Sequence, residues 1–417
     1  MDEQVMLGVL LCLPPKAIYR FRVVSKTWNE LISHPFFIER YDGRRRRGGP
    51  RLLALFQTSV CYSDRWPPTY HTNILSVDLP RNRKLWRFLK LRDCKVINSS
   101  GGLILCAARS NDAFYPNDYY VLNRITQKLV SLPPTKWLCF GTIGLMCEEN
   151  KHELAAKYIV VRTAIGSSLN LGIETYSSET GVWSAKRSIT FPDRYKINLI
   201  SGDPSVMNGV FHWAPHLYKT MALYRPRENN FQFIDAPVDL HLHDHPLLIP
   251  LIHYSHKSHA FTRSSIEDGD MLWYSTMDFR ATMTVFVLPK CIEDGANNTI
   301  RPTIITCNEW VVVYRISVSS LWNDVILLSP NERKGVVKEI LLDAFVPAQK
   351  KEKNNSLVVI LRVERGGVYL YDLDSKSMEC IRYSGRLVSK NDDGYDNYSR
   401  RLWPYLEPFS LSAYALN

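Results

Sequence analysis

Six histidines lie between positions 241 and 259, and their spacing makes them the first residues to consider for a chemical role. They are His241, His243, His245, His253, His256 and His259. Alternate side chains of a β-strand share one face, so the first three imidazoles would lie together on a strand and could hold a zinc ion. No cluster of cysteine, aspartate or glutamate at metal-ligand spacing accompanies them. We therefore favour an exposed loop over a metal centre.

The sequence lacks the motifs by which several large classes of enzyme are recognised. It contains no Gly-x-x-x-x-Gly-Lys phosphate loop, no Gly-x-Ser-x-Gly nucleophile turn and no His-Glu-x-x-His zinc pair. Isolated serine, histidine and aspartate residues occur, but their spacing does not assemble them into a catalytic triad. We therefore predict no catalytic residue, no metal ion and no cofactor in this chain.

Composition indicates a folded protein of the cell interior. Of 417 residues, 45% are hydrophobic and 12% are aromatic, which is typical of globular domains. There is no apolar run long enough to cross a bilayer, and residues 1–15 lack the basic start of a signal peptide. The nine cysteines are scattered and odd in number, which favours reduced thiols in the cytoplasm and/or nucleus.

Nearly half of the net charge of +11 lies in the short stretch of residues 40–51, which holds six arginines and one aspartate. Arg44, Arg45, Arg46 and Arg47 are consecutive and are flanked by glycine and proline. We interpret residues 42–51 as a solvated basic linker, with nuclear import or phosphate binding as alternatives. Nucleic-acid binding is not expected, because no nucleic-acid-reading motif accompanies the arginines.

The first forty residues have the apolar spacing of short amphipathic helices. Val5, Met6, Val9, Leu10 and Leu13 recur on one helical face, and Ile18, Phe21 and Val24 continue a similar pattern. Pro14-Pro15 would end one helix and begin the next, and Ser25 would cap a third that carries Trp28, Leu31 and Ile32. So small a unit cannot bury its apolar surface alone, so it packs either on its own chain or on a partner.

Three elements inside this region resemble an F-box in their order and spacing. They are Leu13-Pro14-Pro15-Lys16, Val23-Val24-Ser25-Lys26-x-Trp28 and Leu31-Ile32-Ser33-x-Pro35. The resemblance implies a substrate receptor that docks onto the Skp-type adaptor, and through it onto a cullin, in a ubiquitin ligase. It implies that the F-box core and its adaptor-binding surface include Leu10, Leu13, Pro14, Val23, Ser25, Trp28, Leu31 and Ile32. The remainder of the chain would bind a protein target, whose identity the sequence does not disclose.

Beyond residue 52 the pattern becomes that of short strands separated by glycine, proline, asparagine and aspartate. Hairpins are predicted at residues 174–183, at 222–233 and at 369–378, and glycine often directly precedes a strand. These units recur at about the 40–50-residue period of propeller blades. We predict an α+β multidomain chain: an F-box at 1–41, the linker at 42–51 and an all-β domain at 52–417. A propeller of six or seven blades is favoured over a β-sandwich or two smaller sheets.

The all-β region resembles the F-box-associated, kelch-like domains of plant receptors. The resemblance rests on Asn208-Gly209-x-x-His212-Trp213 and on Tyr176-Ser177-Ser178-Glu179-Thr180-Gly181-x-Trp183. It implies that loops on one face of the domain hold the target, with residues 108–119, 241–259 and 347–356 as the candidate long loops.

A propeller that works without an adaptor is the alternative function. It would bind a glycan, a small ligand or nucleic acid, and the N-terminal helices would merely cap it. Trp66, Trp137 and Trp322 could then stack on a sugar or a base. Burial of these aromatic side chains between blades is the favoured interpretation.

Overall fold

The structure is a computed structural model of the chain, and it describes its residues in separate stretches. These are residues 3–46, 52–61, 69–76, 94–108, 118–123, 128–135, 141–148, 157–165, 170–184, 187–190, 204–207, 209–213, 220–235, 259–266, 269–277, 282–288, 303–305, 311–317, 319–321, 323, 340–347, 357–363, 368–381 and 401–406.

The described N-terminal stretch folds into four helices: α1 (Glu3–Cys12), α2 (Pro15–Phe21), α3 (Lys26–Ser33) and α4 (Pro35–Arg46). Pro14 is extended and Pro15 opens α2, as the proline pair predicts. Ser25 is also extended, and its hydroxyl oxygen accepts a hydrogen bond from the backbone N–H of Trp28, so the predicted cap of α3 is confirmed. Helix α2 ends at Phe21, so Val24 does not continue its apolar face as predicted and lies instead in the turn before α3.

Helix α4 extends into the segment predicted to be a linker. Tyr41 and Asp42 are both buried, which shows that packing of the helical module continues beyond residue 41. The helix then runs on to Arg46. The predicted boundary at residue 42 is therefore corrected, since Arg44, Arg45 and Arg46 belong to a helix; Arg47 lies outside the described residues.

The core of the helical module draws on all four helices. Its fully buried members are Leu10, Ile18, Ile32, Phe37 and Tyr41, and half-buried apolar side chains pack around them. This arrangement explains how short helices that are marginal in isolation stay folded, because each contributes one apolar side chain or more to a shared cluster.

The strands are β1 (Leu52–Cys61), β2 (Thr69–Ser76), β3 (Lys95–Ser100), β4 (Leu103–Ala108), β5 (Asp118–Asn123), β6 (Lys128–Ser131), β7 (Ile143–Glu148), β8 (Lys157–Ile165), β9 (Asn170–Ser177), β10 (Val182–Trp183), β11 (Arg187–Thr190), β12 (Ser205–Met207), β13 (Val210–Trp213), β14 (Thr220–Arg225), β15 (Asn230–Asp235), β16 (His259–Ile266), β17 (Gly269–Met277), β18 (Thr282–Leu288), β19 (Thr303–Ile305), β20 (Val311–Ser317), β21 (Ile340–Pro347), β22 (Leu357–Val363), β23 (Val368–Asp372), β24 (Ser377–Ile381) and β25 (Arg401–Leu406).

These described strands form six sheets, not the two of a sandwich. In order along the chain, the sheets are β2–β1–β25, β3–β4–β5–β6, β10–β9–β8–β7 with β11 also on β9, β12–β13–β14–β15–β19, β16–β17–β18–β20, and β21–β22–β23–β24. Consecutive strands pair antiparallel, with β19 as a parallel addition beside β15. The three predicted hairpins are confirmed as β9–β10, β14–β15 and β23–β24. Gly181, with φ +69°, supplies the left-handed residue of the first turn.

Neighbouring sheets pack face to face. Even-numbered β8 side chains such as Val160 join the core of the β3–β6 sheet, where Leu105 and Val121 are buried. Odd-numbered ones such as Val161 join the core shared with Phe211 of β13. The β7–β11 sheet is therefore covered on both faces, which accounts for the uninterrupted apolar run Tyr158–Val161 in β8.

Contacts between strands of neighbouring sheets link the six sheets in a series. β25 lies beside β3, β3 beside β7, β7 beside β12, β12 beside β16, β16 beside β21, and β21 beside β25. β25, the last of the described strands, thus contacts both the second and the sixth sheets while pairing with β1 in the first.

Candidate functional site

An exposed apolar turn is the most unusual surface of the helical module. Val23 and Val24 lie between α2 and α3, and 88% of Val23 and 63% of Val24 are exposed. Backbone bonds from Val23 N–H to the Arg20 carbonyl and from Val24 N–H to the Phe21 carbonyl hold the turn. Two adjacent exposed valines on an ordered turn form an apolar contact point that a partner surface could bury.

The side chains on either side of this turn hold its shape. Trp28 stacks on Phe21 with ring centroids 5.1 Å apart, so α3 is fixed against the end of α2. The Arg22 Nε–H donates to the Asn29 side-chain oxygen at 2.9 Å across the same junction. Ser25 closes the turn by capping α3. These three contacts therefore hold the turn that exposes the two valines, which we call a braced turn.

The residues predicted to bind the adaptor divide into three groups by their exposure in the structure. Leu10 and Ile32 are buried in the module core, where they support the fold. Leu13, Trp28 and Leu31 are half-buried and pack against that core. The exposed group contains Pro14, Val23 and Ser25. The sequence could not separate these groups, because exposure depends on how the four helices pack against one another.

Further exposed apolar side chains lie outside the set that the sequence predicted to bind the adaptor. They are Val5 and Val9 on α1, Val24 in the turn and Phe36 on α4. For Val5 and Val9 the signal was present, since the apolar positions of α1 form a face too broad for one small core to cover.

Basic side chains border the valine turn. Arg20 and Lys26 are exposed, and the Arg22 guanidinium lies 5.7 Å from the centre of the Tyr19 ring. Burial is the main cause that raises the pKa of Tyr19, so its hydroxyl stays protonated and neutral at physiological pH. The turn therefore presents apolar groups within a positively charged rim, which suits a partner surface that is apolar with acidic edges.

The first three arginines of the run, Arg44, Arg45 and Arg46, lie in helix α4 and not on a linker. Arg44 lies in the last turns of α4, and its Nη1 is 3.5 Å from the Cys12 sulfur. Positive side chains near a helix C-terminus interact favourably with the helix dipole, so the position of Arg44 favours the end of α4.

The aromatic residues and the histidine of the two motifs in the all-β domain are buried or pack against its core. Trp213 is buried, and its indole N–H donates to the Thr142 hydroxyl at 2.7 Å. His212 is also buried, with Nδ1 3.1 Å from the Val210 carbonyl. The Trp183 indole donates to the Pro133 carbonyl at 2.8 Å and ties together neighbouring sheets. These aromatic residues therefore build the domain and do not offer a stacking surface.

Several predicted binding residues lie outside the described residues. They are Trp66, Trp137, Trp322, His241, His243, His245, His253 and His256, together with most of residues 108–119, 241–259 and 347–356. His259 begins β16. Among the residues that the structure describes, no group of three potential ligands could hold a metal ion. No helix within the described stretches is long and apolar enough to span a membrane.

Comparison with known proteins agrees with this two-part organisation. Residues 1–40 match the F-box domain, and residues 77–330, more than half of the chain, match the family described as F-box protein At3g26010-like, beta-propeller. The fold and the helical module thus define an F-box protein with a β-propeller domain after the F-box. The chain belongs to the At3g26010-like β-propeller family of F-box proteins. A kelch-like affiliation stays a prediction.

The relatives come from Arabidopsis thaliana. F-box protein At5g03970 is 24% identical over 99% of this chain and 90% of its own length. F-box protein At3g26010 is 25% identical over 43% of this chain and 41% of its own length. F-box protein At5g07610 is 25% identical over 60% of each chain. The first of these similarities spans both the helical module and the β domain.

Proposed function

We propose that the protein is the substrate-recognition subunit of a Skp–cullin–F-box ubiquitin ligase. In this proposal the F-box docks onto a Skp-type adaptor and the propeller holds a target protein. The observation that carries it is the braced, exposed Val23–Val24 turn on a folded F-box. An exposed apolar turn has a free-energy cost in water, which burial against an adaptor would relieve.

Docking through this surface would depend on a few apolar anchors. Val23 and Val24 are the most exposed apolar side chains of the helical module, and Pro14 is exposed as well. Anchors near the centre of an interface contribute most of its affinity, while the charged rim mainly sets the association rate and the choice of partner. The basic border of Arg20 and Lys26 would thus tune docking without supplying most of its strength.

We further propose that the propeller has six blades. Each of the six sheets would be one blade, and the strand neighbours that run from β25 through β3, β7, β12, β16 and β21 would form the inner ring. The pairing of β25 with β1 would then close that ring, because it joins the two ends of the chain in one blade. Such closure protects strand edges that would otherwise be open.

The chain would perform no bond chemistry of its own in this role. A receptor that holds a target near a ubiquitin-charged enzyme accelerates transfer by raising the effective concentration of target lysines. The proposed place of action is the cytoplasm and/or nucleus, in keeping with the scattered, odd-numbered cysteines. The adaptor-independent alternative is not favoured, because the N-terminal residues that it treats as a cap match an F-box.

Co-purification with a Skp-type adaptor tests the proposal. The informative variant carries Val23→Asp and Val24→Asp together, since both side chains are exposed and their replacement leaves the module core intact. We expect adaptor retention to fall at least about tenfold, which corresponds to about 1.4 kcal/mol. Val182→Asp is the matched control, because Val182 is an exposed valine on β10, far along the chain from the F-box.

The control variant should retain the adaptor as the wild-type protein does. Equal adaptor retention by the double variant and the wild type would overturn the proposed docking surface. Loss of the adaptor in the Val182→Asp control as well would show that the valine turn is not the determinant.

A further inference from the structure

An exposed apolar strand borders the sheet formed by β16, β17, β18 and β20. β20 is the outermost strand of this sheet and pairs only with β18 among the described strands. Val311, Val312 and Val313 are 50%, 40% and 39% exposed at successive positions. Side chains of a strand point alternately to opposite faces, so this run leaves apolar surface on both faces of the edge.

A β-bulge divides this edge strand. Val285 pairs with Tyr314 and Phe286 pairs with Val312, so Val313 is the extra residue in β20. Bulges twist an edge and limit the length over which another strand can pair with it. Beyond the bulge, the regular part of the edge is the four-residue stretch from Tyr314 to Ser317. This length suits pairing with a short added strand and disfavours pairing with a long one.

Outer strands of three other sheets are protected differently. Lys128 on β6, Arg187 on β11 and Glu379 on β24 are exposed charged residues on outer strands. Charged side chains at an edge discourage pairing with a further strand. β20 carries its one charge at Arg315, after the run of valines.

The chain itself already contains a short strand added to a sheet edge. β19 lies parallel to the outer strand β15, with Gln232 opposite Thr303 and Ile234 opposite Ile305. The added segment has the sequence Thr-Ile-Ile and is three residues long. An outer edge in this domain therefore accommodates a short β-branched strand, and β20 presents a similar edge without such a strand among the described residues.

Charge favours an acidic residue in the strand that would bind here. The Arg315 side chain is exposed and forms no ion pair with a described carboxylate, while Thr284 lies opposite it on β18. The nearby Asp374 carboxylate accepts a hydrogen bond from the Tyr314 hydroxyl at 2.5 Å, which fixes Tyr314 against the turn between β23 and β24. A carboxylate opposite Arg315 would gain a charge-assisted contact.

We propose that β20 is a docking edge for a short extended peptide of the target protein. The peptide adds a strand along Tyr314–Ser317, places a β-branched or other apolar side chain against the valines, and places an aspartate or glutamate near Arg315. Main-chain hydrogen bonds supply affinity in this mode of recognition, and the side-chain contacts supply specificity. The inference rests on the proposed receptor function, because it names the surface through which that receptor binds its target.

The test uses the full-length protein in complex with its Skp-type adaptor. A display library of unstructured peptides with random sequence is selected on the complex, and enriched peptides are synthesised for affinity measurement by fluorescence anisotropy. We expect enriched peptides to combine β-branched residues with one acidic residue. Their affinity should fall about tenfold or more with Val313→Lys and with Arg315→Glu.

The matched control is Val182→Lys, an exposed valine on the outer strand β10, which should leave affinity unchanged. A peptide whose acidic residue is replaced with lysine should recover binding to the Arg315→Glu variant. Thermal unfolding of each variant, compared with the wild-type protein, separates loss of the site from loss of the fold.

Three outcomes would overturn the inference. These are a selection that yields no peptide sensitive to Val313→Lys, equal losses of affinity in the Val182→Lys control, and a wild-type dimer that Val313→Lys dissociates. The last would identify a second copy of this chain as the occupant. Adaptor retention, measured in the same preparations, distinguishes failure of this inference from failure of the receptor proposal. If the receptor proposal fails, the wild-type protein itself does not retain the adaptor.

Discussion

The Tyr41 hydroxyl donates a hydrogen bond of 2.7 Å to the Leu13 backbone carbonyl, joining the fourth helix of the F-box to the end of the first. Leu13 follows the last turn of α1, where helix carbonyls lack partners within the helix. The following residues, Pro14 and Pro15, have no N–H to contribute. A side chain from 28 residues later in the chain therefore satisfies this carbonyl.

Tyr41→Phe should loosen the helical module while leaving it folded. The ring still fills the core, but the Leu13 carbonyl loses this partner, which costs about 1–2 kcal/mol. Hydrogen exchange followed by mass spectrometry should show amide exchange in α1 and α4 about fivefold faster for each 1 kcal/mol of destabilisation. Tyr314→Phe is the control, because it removes a tyrosine hydroxyl from the β domain. Unchanged exchange in Tyr41→Phe would contradict a stabilising role for this bond.

Ser25→Ala should destabilise α3 and the valine turn beside it. Loss of a serine cap typically costs about 1 kcal/mol, whereas aspartate at the same position can accept the bond from the Trp28 N–H. We therefore expect Ser25→Ala to speed hydrogen exchange in α3 and to weaken adaptor retention, and Ser25→Asp to preserve the helix. Faster exchange of similar size in both variants would argue that the hydroxyl is not acting as a cap.

Trp28→Ala should cost more than loss of the cap. Trp28 stacks on Phe21 and packs against the module core, and truncation of a well-packed aromatic residue costs about 3–5 kcal/mol. We expect loss of the folded F-box and of adaptor co-purification together, while Trp28→Phe retains part of both. Normal co-purification of Trp28→Ala would count against the F-box assignment of this surface.

Thr142→Val should destabilise the β domain, because it removes the acceptor of one buried donor, the Trp213 indole N–H. The Trp213 indole N–H donates to the Thr142 hydroxyl, which also lies 2.9 Å from the Thr163 hydroxyl. Valine keeps the volume but leaves these buried groups without that partner, at a cost of about 1–3 kcal/mol. Thr142→Ser retains the oxygen and is the matched comparison. Tryptophan fluorescence during urea denaturation measures the difference, and equal midpoints for the two variants would refute the prediction.

Tyr314 should make stability depend on pH at the alkaline end. The pKa of Tyr314 is raised from 10.0 to about 12, mainly by burial and in addition by the hydrogen bond to Asp374 and the negative charge of that carboxylate. Because the folded-state pKa exceeds the unfolded one, the contribution is complete below about pH 10 and is lost as pH rises to about 12. Tyr314→Phe should remove this dependence.

A difference titration of tyrosinate absorbance between wild-type and Tyr314→Phe proteins measures the group directly. Asp374→Asn should lower the midpoint, since it removes the negative charge that opposes ionisation of Tyr314. A midpoint near 10 in the wild-type protein would show that the hydroxyl is not held by Asp374.

Features that depend on neighbouring residues were predictable from the sequence. The Ser25 cap, the break at Pro14–Pro15 and the Gly181 turn each follow from the chemistry of a few adjacent positions. The same local reasoning failed at Val24, which continues a helical spacing in the sequence although the helix has already ended. Spacing alone does not reveal where a short helix stops when no glycine or proline marks its end.

Long-range pairings were beyond the reach of local patterns. β25 pairs with β1, although almost the whole chain separates the two strands. β19 pairs with β15, whereas the three strands between them in the chain belong to another sheet. Both strands are short, and their composition does not predict the strand with which each one pairs. Pairing of this kind is selected by the three-dimensional arrangement of the other sheets, since many short apolar strands would fit the same edge.

By itself, the sequence determined that a small helical F-box precedes a large β domain, because apolar periodicity and turn residues act over a few positions. Only the tertiary structure decided which apolar residues are buried and which are presented. Leu10, Ile32 and Val23 are all aliphatic, yet the first two lie in the core and Val23 lies in water. That division depends on how four helices meet, and packing among distant segments is what sets it.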